Sequence, residues 1–291
     1  MNRFGFKACQ SVVALVGFVI LTALPAVATE LSTEELSEIA QVGKQLLRAY
    51  PAPDTVFIGV GQSPQVILAY LESQVGKERA YSLPISGTRN LDLLLQTYKM
   101  NDRLGDFMRL HIEHFISPKI FRPRQTYVVF DFSTSGASMQ ASRQLFAAAF
   151  AEMNLNPNQL RFVALKSRHG KPEDSAHNAD LVLSLPKGLD DRLLEREYRH
   201  YHPYSKLYLM DLFHQYLGFK SHRSSVKLFP SYSLLIEDSR LERYSHKKAE
   251  LVQLFVAHQK KSALERCWNW LSPYKRGRDQ IKASANTTVP P

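Results

Sequence analysis

The spacing of apolar positions along this chain switches repeatedly between a helical and a strand-like rhythm. From Thr29 to Tyr50, Leu36, Ile39, Ala40, Leu46 and Leu47 recur at helical intervals behind Ser32 and Glu35, which have capping-box spacing; Pro51 and Pro53 end the element. Asp54 to Val60, centred on Val56-Phe57-Ile58, reads as a buried strand. It runs into the small-residue turn Gly59-Val60-Gly61-Gln62-Ser63-Pro64 and a helix from about Gln65 to Glu72, with Pro64 suited to the first helical position. Ala80 to Ile85 is a second strand, closing at Ser86-Gly87-Thr88. Asn90 to Met100 and Asp102 to Phe115 read as helices: Leu91, Leu94, Leu95 and Tyr98 share one face, and Leu104, Phe107, Met108 and Ile112 share another.

Pro118, Pro123, Lys119, Arg122 and Arg124 mark a loop before the next apolar run, Tyr127-Val128-Val129-Phe130, with Asp131 where that strand should end. Thr134-Ser135-Gly136-Ala137-Ser138 follows, then Met139 to Met153, rich in Ala, Leu and Phe and free of Gly and Pro, which suits a helix. Arg161 to Lys166 and Ala179 to Leu185 are further strands, separated by the polar loop Ser167 to Asn178, which carries Arg168, His169 and Lys171. Strands centred near 56, 82, 128, 163 and 182 with helices between most of them predict an α/β fold. Its mainly parallel sheet of about five strands would carry helices on both faces.

Past Leu189 the character changes. Leu193 to Tyr204 is crowded with aromatic and charged residues, of which Arg196, Arg199, His200 and His202 suit either an anion site or a packed, hydrogen-bonded corner. Tyr204 to Leu217 and Ser245 to Leu271 read as helices. The second carries Leu251, Leu254, Phe255, Ala263, Leu264, Trp268 and Leu271 near one side and Lys247, Lys248, Lys260, Lys261 and Arg266 elsewhere. Packing on the domain and lying on a membrane surface are both open to such a helix. The predicted organisation is a leader at 1–28, an α/β core at 29–188 with the N-terminal helix, a helical C-terminal extension at 189–273 and a disordered tail at 274–291.

The leader reading rests on basic Arg3 and Lys7, the apolar run Val12 to Leu24, and Pro25-Ala26-Val27-Ala28 ending in a small-x-small pattern. It predicts a secretory signal peptide cleaved after Ala28 and a periplasmic or secreted product, against the alternative of an uncleaved anchor. Cys9 would leave with the leader, so the mature chain keeps only Cys267 and has no intramolecular disulfide. The formal charge of +10 falls to +8 without Arg3 and Lys7. That excess, concentrated in the last third, favours anionic partners. A phosphorylated small molecule comes first, and nucleic acid or an anionic membrane surface through the basic C-terminal region comes second. Simple solubility explains the same excess.

The chemistry concentrates at Tyr127 to Met139. A strand, a small hydroxyl-rich turn and a helix start are a device for holding an anion, since free amides and the helix dipole converge there. The stretch resembles the sugar-phosphate loop of type I phosphoribosyltransferases: a hydrophobic strand, two successive acids, two further residues, then a Thr/Ser-rich turn around Gly. Aligned on Gly136, the second acid falls on Asp131, the turn on Thr134 to Ser138, and the first acid on Phe130, so one acid is missing. The resemblance implies that Thr134, Ser135, Gly136, Ala137 and Ser138 bind a 5′-phosphate and that Asp131 binds a ribose hydroxyl. It implies that Gly61, Gln62 and Ser63 line a pyrophosphate pocket, with Gln62 where the family often has a base. Mg²⁺ would be held mainly by the ligand's own phosphates and water.

Three functions remain open from the residues: a phosphoribosyl-transferring enzyme, a non-catalytic module for a nucleotide or sugar phosphate, and a serine hydrolase. The absence of Gly-x-Ser-x-Gly around Ser63 and Ser135 weighs against the last. Ser and Thr at the turn also suit plain helix capping. His111 and His114, three apart on one helix, read as surface or rim residues rather than metal ligands.

Overall fold

The computed structural model describes residues 31–61, 64–133, 136–167, 178–189, 209–217 and 248–263. The leader, the loop residues 168–177, the segment 190–208 with its Arg and His cluster, the stretch 218–247 and the tail lie outside them.

The sheet has strands β1 (Thr55–Val60), β2 (Ala80–Leu83), β3 (Thr126–Ser133), β4 (Leu160–Lys166) and β5 (Leu181–Ser184). Their order is β2-β1-β3-β4-β5, and every pairing is parallel. Around them run α1 (Thr33–Ala49), α2 (Gln65–Val75), α3 (Leu91–Tyr98), α4 (Leu104–Phe115), α5 (Ala137–Glu152), α6 (Leu209–Tyr216) and a helix α7 over 248–263. This is the expected α/β architecture. β1 to β2 steps one way across the sheet and β3 to β4 the other. Right-handed crossovers therefore require α2 and α5 on opposite faces. The packing agrees. Val56, Ile58, Tyr127, Val129, Phe162 and Ala164 share a core with α4, α5 and α6. The alternate residues turn the other way, where Leu68 of α2 and the ring of Phe130 both approach Gly59.

Among the boundaries that differ from the sequence reading, three have a clear physical reason or bear on the turns. β3 runs on through Asp131 to Ser133, with Asp131 opposite Ala164 in the ladder, because β4 supplies backbone partners that far. α5 starts at Ala137, so Ala137 and Ser138 are its first helical residues rather than part of a turn. α2 reaches Val75, and its first seven residues are all buried. A run buried on every side has no apolar period to mark its end.

His111 corrects an expectation: it is fully buried, not a surface residue. Its Nε2 lies 3.1 Å from the Pro84 carbonyl, and desolvation pushes its pKa down to about 3, so the ring is neutral. Buried between Phe107 and Phe115, it fills core space. Among the described residues no group of His, Cys, Asp and Glu is placed to hold a metal, and no helix is long and apolar enough to cross a membrane.

α7 packs on the domain. Leu251 and Phe255, one turn apart, are buried, and Phe255 meets Tyr70 of α2 edge to face at 5.4 Å. Lys248 Nζ sits 2.5 Å from Glu72 Oε2, with both side chains largely buried.

Candidate functional site

In an open parallel sheet the connections diverge where the strand order reverses, leaving a crevice at the carboxyl ends of the two flanking strands. Here that point lies between β1 and β3. Gly59 is opposite Phe130, so the carboxyl ends of the two strands lie side by side. They lead into the turns that the sequence singled out: 61–64 after β1, and 134–136 after β3. Gln62, Ser63, Thr134 and Ser135 lie outside the described residues. Gly61, Asp131, Gly136, Ala137 and Ser138 fall at this end of the sheet.

The β1 turn is held from below. Gly61 adopts φ 75°, and a Cβ there would come within 3.1 Å of the Ile85 carbonyl, so the turn suits glycine. Its amide donates to the Leu83 carbonyl at 2.9 Å, extending the β1–β2 ladder by one rung. Gln65 is 2% exposed, and its Nε2 donates to Gly61 O at 2.8 Å and to Ser82 Oγ at 2.6 Å. The first residue of α2 thus ties the turn to β2. The sequence reading missed this role, because Gln65 is legible only as the start of a helix.

At the β3 turn Gly136 is the helix N-cap, at φ 74°. Its amide is already engaged, donating to Ser133 Oγ at 3.0 Å. That bond braces the turn and does not cap the helix, because it ends on the N-cap residue rather than on an amide of the first helical turn. Among the described residues no side chain caps the start of α5, and its first helical bond runs from Gln140 N to Gly136 O. The amides of Ala137 and Ser138, both half-buried, therefore have no acceptor within the helix. They carry the positive end of a 16-residue helix dipole.

Asp131 lies in the last turn-ward part of β3. Phe132 N donates to its Oδ1 at 2.7 Å, which favours the ionised form. Desolvation outweighs that bond and pushes the carboxyl up to about 8, which favours its protonated form at neutral pH. The residue as a whole is only half-buried, which leaves it an edge toward solvent. Phe130, where the family motif has its other acid, is fully buried with its ring beside Gly59. Strand alternation turns it away from Asp131.

The ladder adds a residue that the sequence reading left as part of a strand. Asp131 is opposite Ala164, and Ser133 is opposite Lys166. Alternation puts Asp131, Ser133 and Lys166 on one face, the face covered by α5. Lys166 is half-buried and makes no ion pair among the described residues. Period-two alternation in Arg161 to Lys166 was the available signal, but only the register with β3 sets the lysine beside the turn. The turn after β2 joins from the same side: Thr88–Asn90 packs on α5, with Thr88 buried.

Compared with protein-family models the chain matches none, and compared with curated protein sequences it has no significant match.

Proposed function

We propose that the β1/β3 crevice binds a phosphorylated ribose or a nucleotide, in an exported protein of phosphoribosyltransferase-like type. One observation carries the reading: Gly61 and Gly136, just past the carboxyl ends of β1 and β3, flank the point where strand order reverses, with the α5 N-terminus after Gly136 and Lys166 opposite Ser133. A phosphate seated there would accept from the Ala137 and Ser138 amides and meet the Lys166 ammonium. The hydroxyls of Thr134, Ser135 and Ser138 would add donors, and Gly61, Gln62 and Ser63 would border the second anionic group. Protonated Asp131 is an uncharged donor beside that anion and would hydrogen-bond a sugar or phosphate oxygen without repelling it. Mg²⁺ would ride on the ligand's phosphates.

Binding without turnover is the reading that Phe130 favours. A fully buried ring replaces the first acid of the resembling motif, so that position offers no oxygen to a ribose or a metal. Calorimetric titration with ribose 5-phosphate and nucleoside monophosphates tests the site, with Asp131→Ala as control. Saturable binding that the substitution weakens supports it, and equal affinity in both proteins removes Asp131 from it. Release of pyrophosphate from the activated ribose donor with free bases would decide for transfer.

A further inference from the structure

The opposite end of the sheet carries a second concentration of charge. At the amino ends of β1, β2 and β3 lies a hollow of about 660 Å³, within the range of small-molecule sites. Arg79, Lys119, Arg122 and Arg124 line it, against Asp54 and Glu78. None of the four bases forms an ion pair among the described residues. Their only side-chain hydrogen bond among the described residues is from Arg122 Nε to Lys119 O at 3.3 Å. Among the described residues the lining thus keeps an excess of two positive charges and includes no aromatic ring to stack a base.

The loop that presents three of these bases is built rather than loose. Tyr127, fully buried at the start of β3, accepts a hydrogen bond from Arg122 N at 2.6 Å, and its hydroxyl lies 3.1 Å from Ile120 O. Phe121 stacks on the same ring. Gln159 Nε2 donates to Arg122 O at 3.0 Å and to Gln125 O at 2.9 Å. Between those carbonyls the chain makes a turn closed from Gln125 N to Arg122 O, with Pro123 second and Arg124 third at φ 73°. A left-handed third position after proline is the place for Gly or Asn in a type II turn. An arginine held there costs backbone energy that glycine would not. Its charge faces the hollow, which gives the arginine a use at that position.

From this arrangement the geometry points to a second anion site, at the amino ends of the strands, for a compact oligophosphate such as inorganic tripolyphosphate. It is separate from the β1/β3 crevice and does not rest on the reading given to that crevice. The probe is sodium tripolyphosphate, titrated calorimetrically into the full chain. Arg124→Gly is the informative substitution, because it relieves the turn while deleting one cation. The expected result is saturable binding, weakened about tenfold by Arg124→Gly, since a hydrogen bond to a charged group is worth roughly one decade or more. Lys119→Gln combined with Arg122→Gln should weaken it further, whereas Lys166→Gln should leave a wild-type component. Absence of saturable binding overturns the site, as does unchanged affinity in Arg124→Gly with a melting temperature at or above wild type. Loss of all tripolyphosphate binding in Lys166→Gln alone overturns it too, by assigning the ligand to the crevice.

Discussion

Ser133 Oγ accepts the Gly136 amide at 3.0 Å, closing the turn after β3 on itself. The bond accompanies the left-handed conformation of the glycine and leaves the next amides, of Ala137 and Ser138, without an acceptor inside the helix. Ser133→Ala should cost about 1 kcal/mol, seen as a fall in melting temperature of roughly 2–4 °C. It should also weaken phosphate-ester binding, because the turn loses its brace. Wild-type affinity in a destabilised variant would confine Ser133 to bracing the turn.

Asp131 gives the site a defined pH response. Its folded pKa, about 8, lies above its ordinary value, so the folded chain holds a proton that the unfolded chain releases. This group's contribution to stability is therefore greatest below about pH 4 and declines as pH rises toward 8. Asp131→Asn removes that decline and should raise the melting temperature at neutral pH by a few degrees, about 2–4 °C. Phosphate-ester affinity in the wild type should drop as pH climbs from 7 to 9 and the carboxylate appears beside the anion. The asparagine variant should show a flat profile over the same interval, and a parallel drop in both proteins would assign the pH dependence to other groups.

Restoring the missing acid should fail. Phe130 is fully exchanged into the core, so Phe130→Asp buries a carboxyl and leaves a cavity, at a cost of about 3–5 kcal/mol or more. Urea denaturation should show a lost or strongly shifted transition. A folded variant that gains ribose-phosphate affinity would mean that the position faces the crevice.

Lys166 should act by charge. Lys166→Gln should weaken ribose 5-phosphate binding about tenfold and reduce its salt dependence, with little change in melting temperature. Lys166→Arg should retain most of the affinity. Equal salt dependence in the glutamine variant and the wild type would exclude the lysine from the anion's surroundings.

The docking of α7 rests on a charge pair as well as on Phe255. Lys248→Met leaves Glu72 largely buried without its cation and should cost about 3 kcal/mol, whereas adding Glu72→Leu should recover most of it. Hydrogen exchange across 248–263 should accelerate in the single variant and slow again in the double one.

The sequence alone determined which stretches of the α/β core form its strands and helices. Apolar runs such as Tyr127 to Phe130 and punctuation such as Gly61 to Pro64 are local signals, and local chain preferences read them correctly. Tertiary structure decided what lies beside what. Whether Lys166 meets Ser133, whether Gln65 braces Gly61, and where β3 ends all depend on the β2-β1-β3-β4-β5 order and its register. Pairing between distant strands leaves no trace in either strand's own sequence. His111 shows the same limit, since a histidine on an amphipathic helix is placed in core or solvent only by what packs against it.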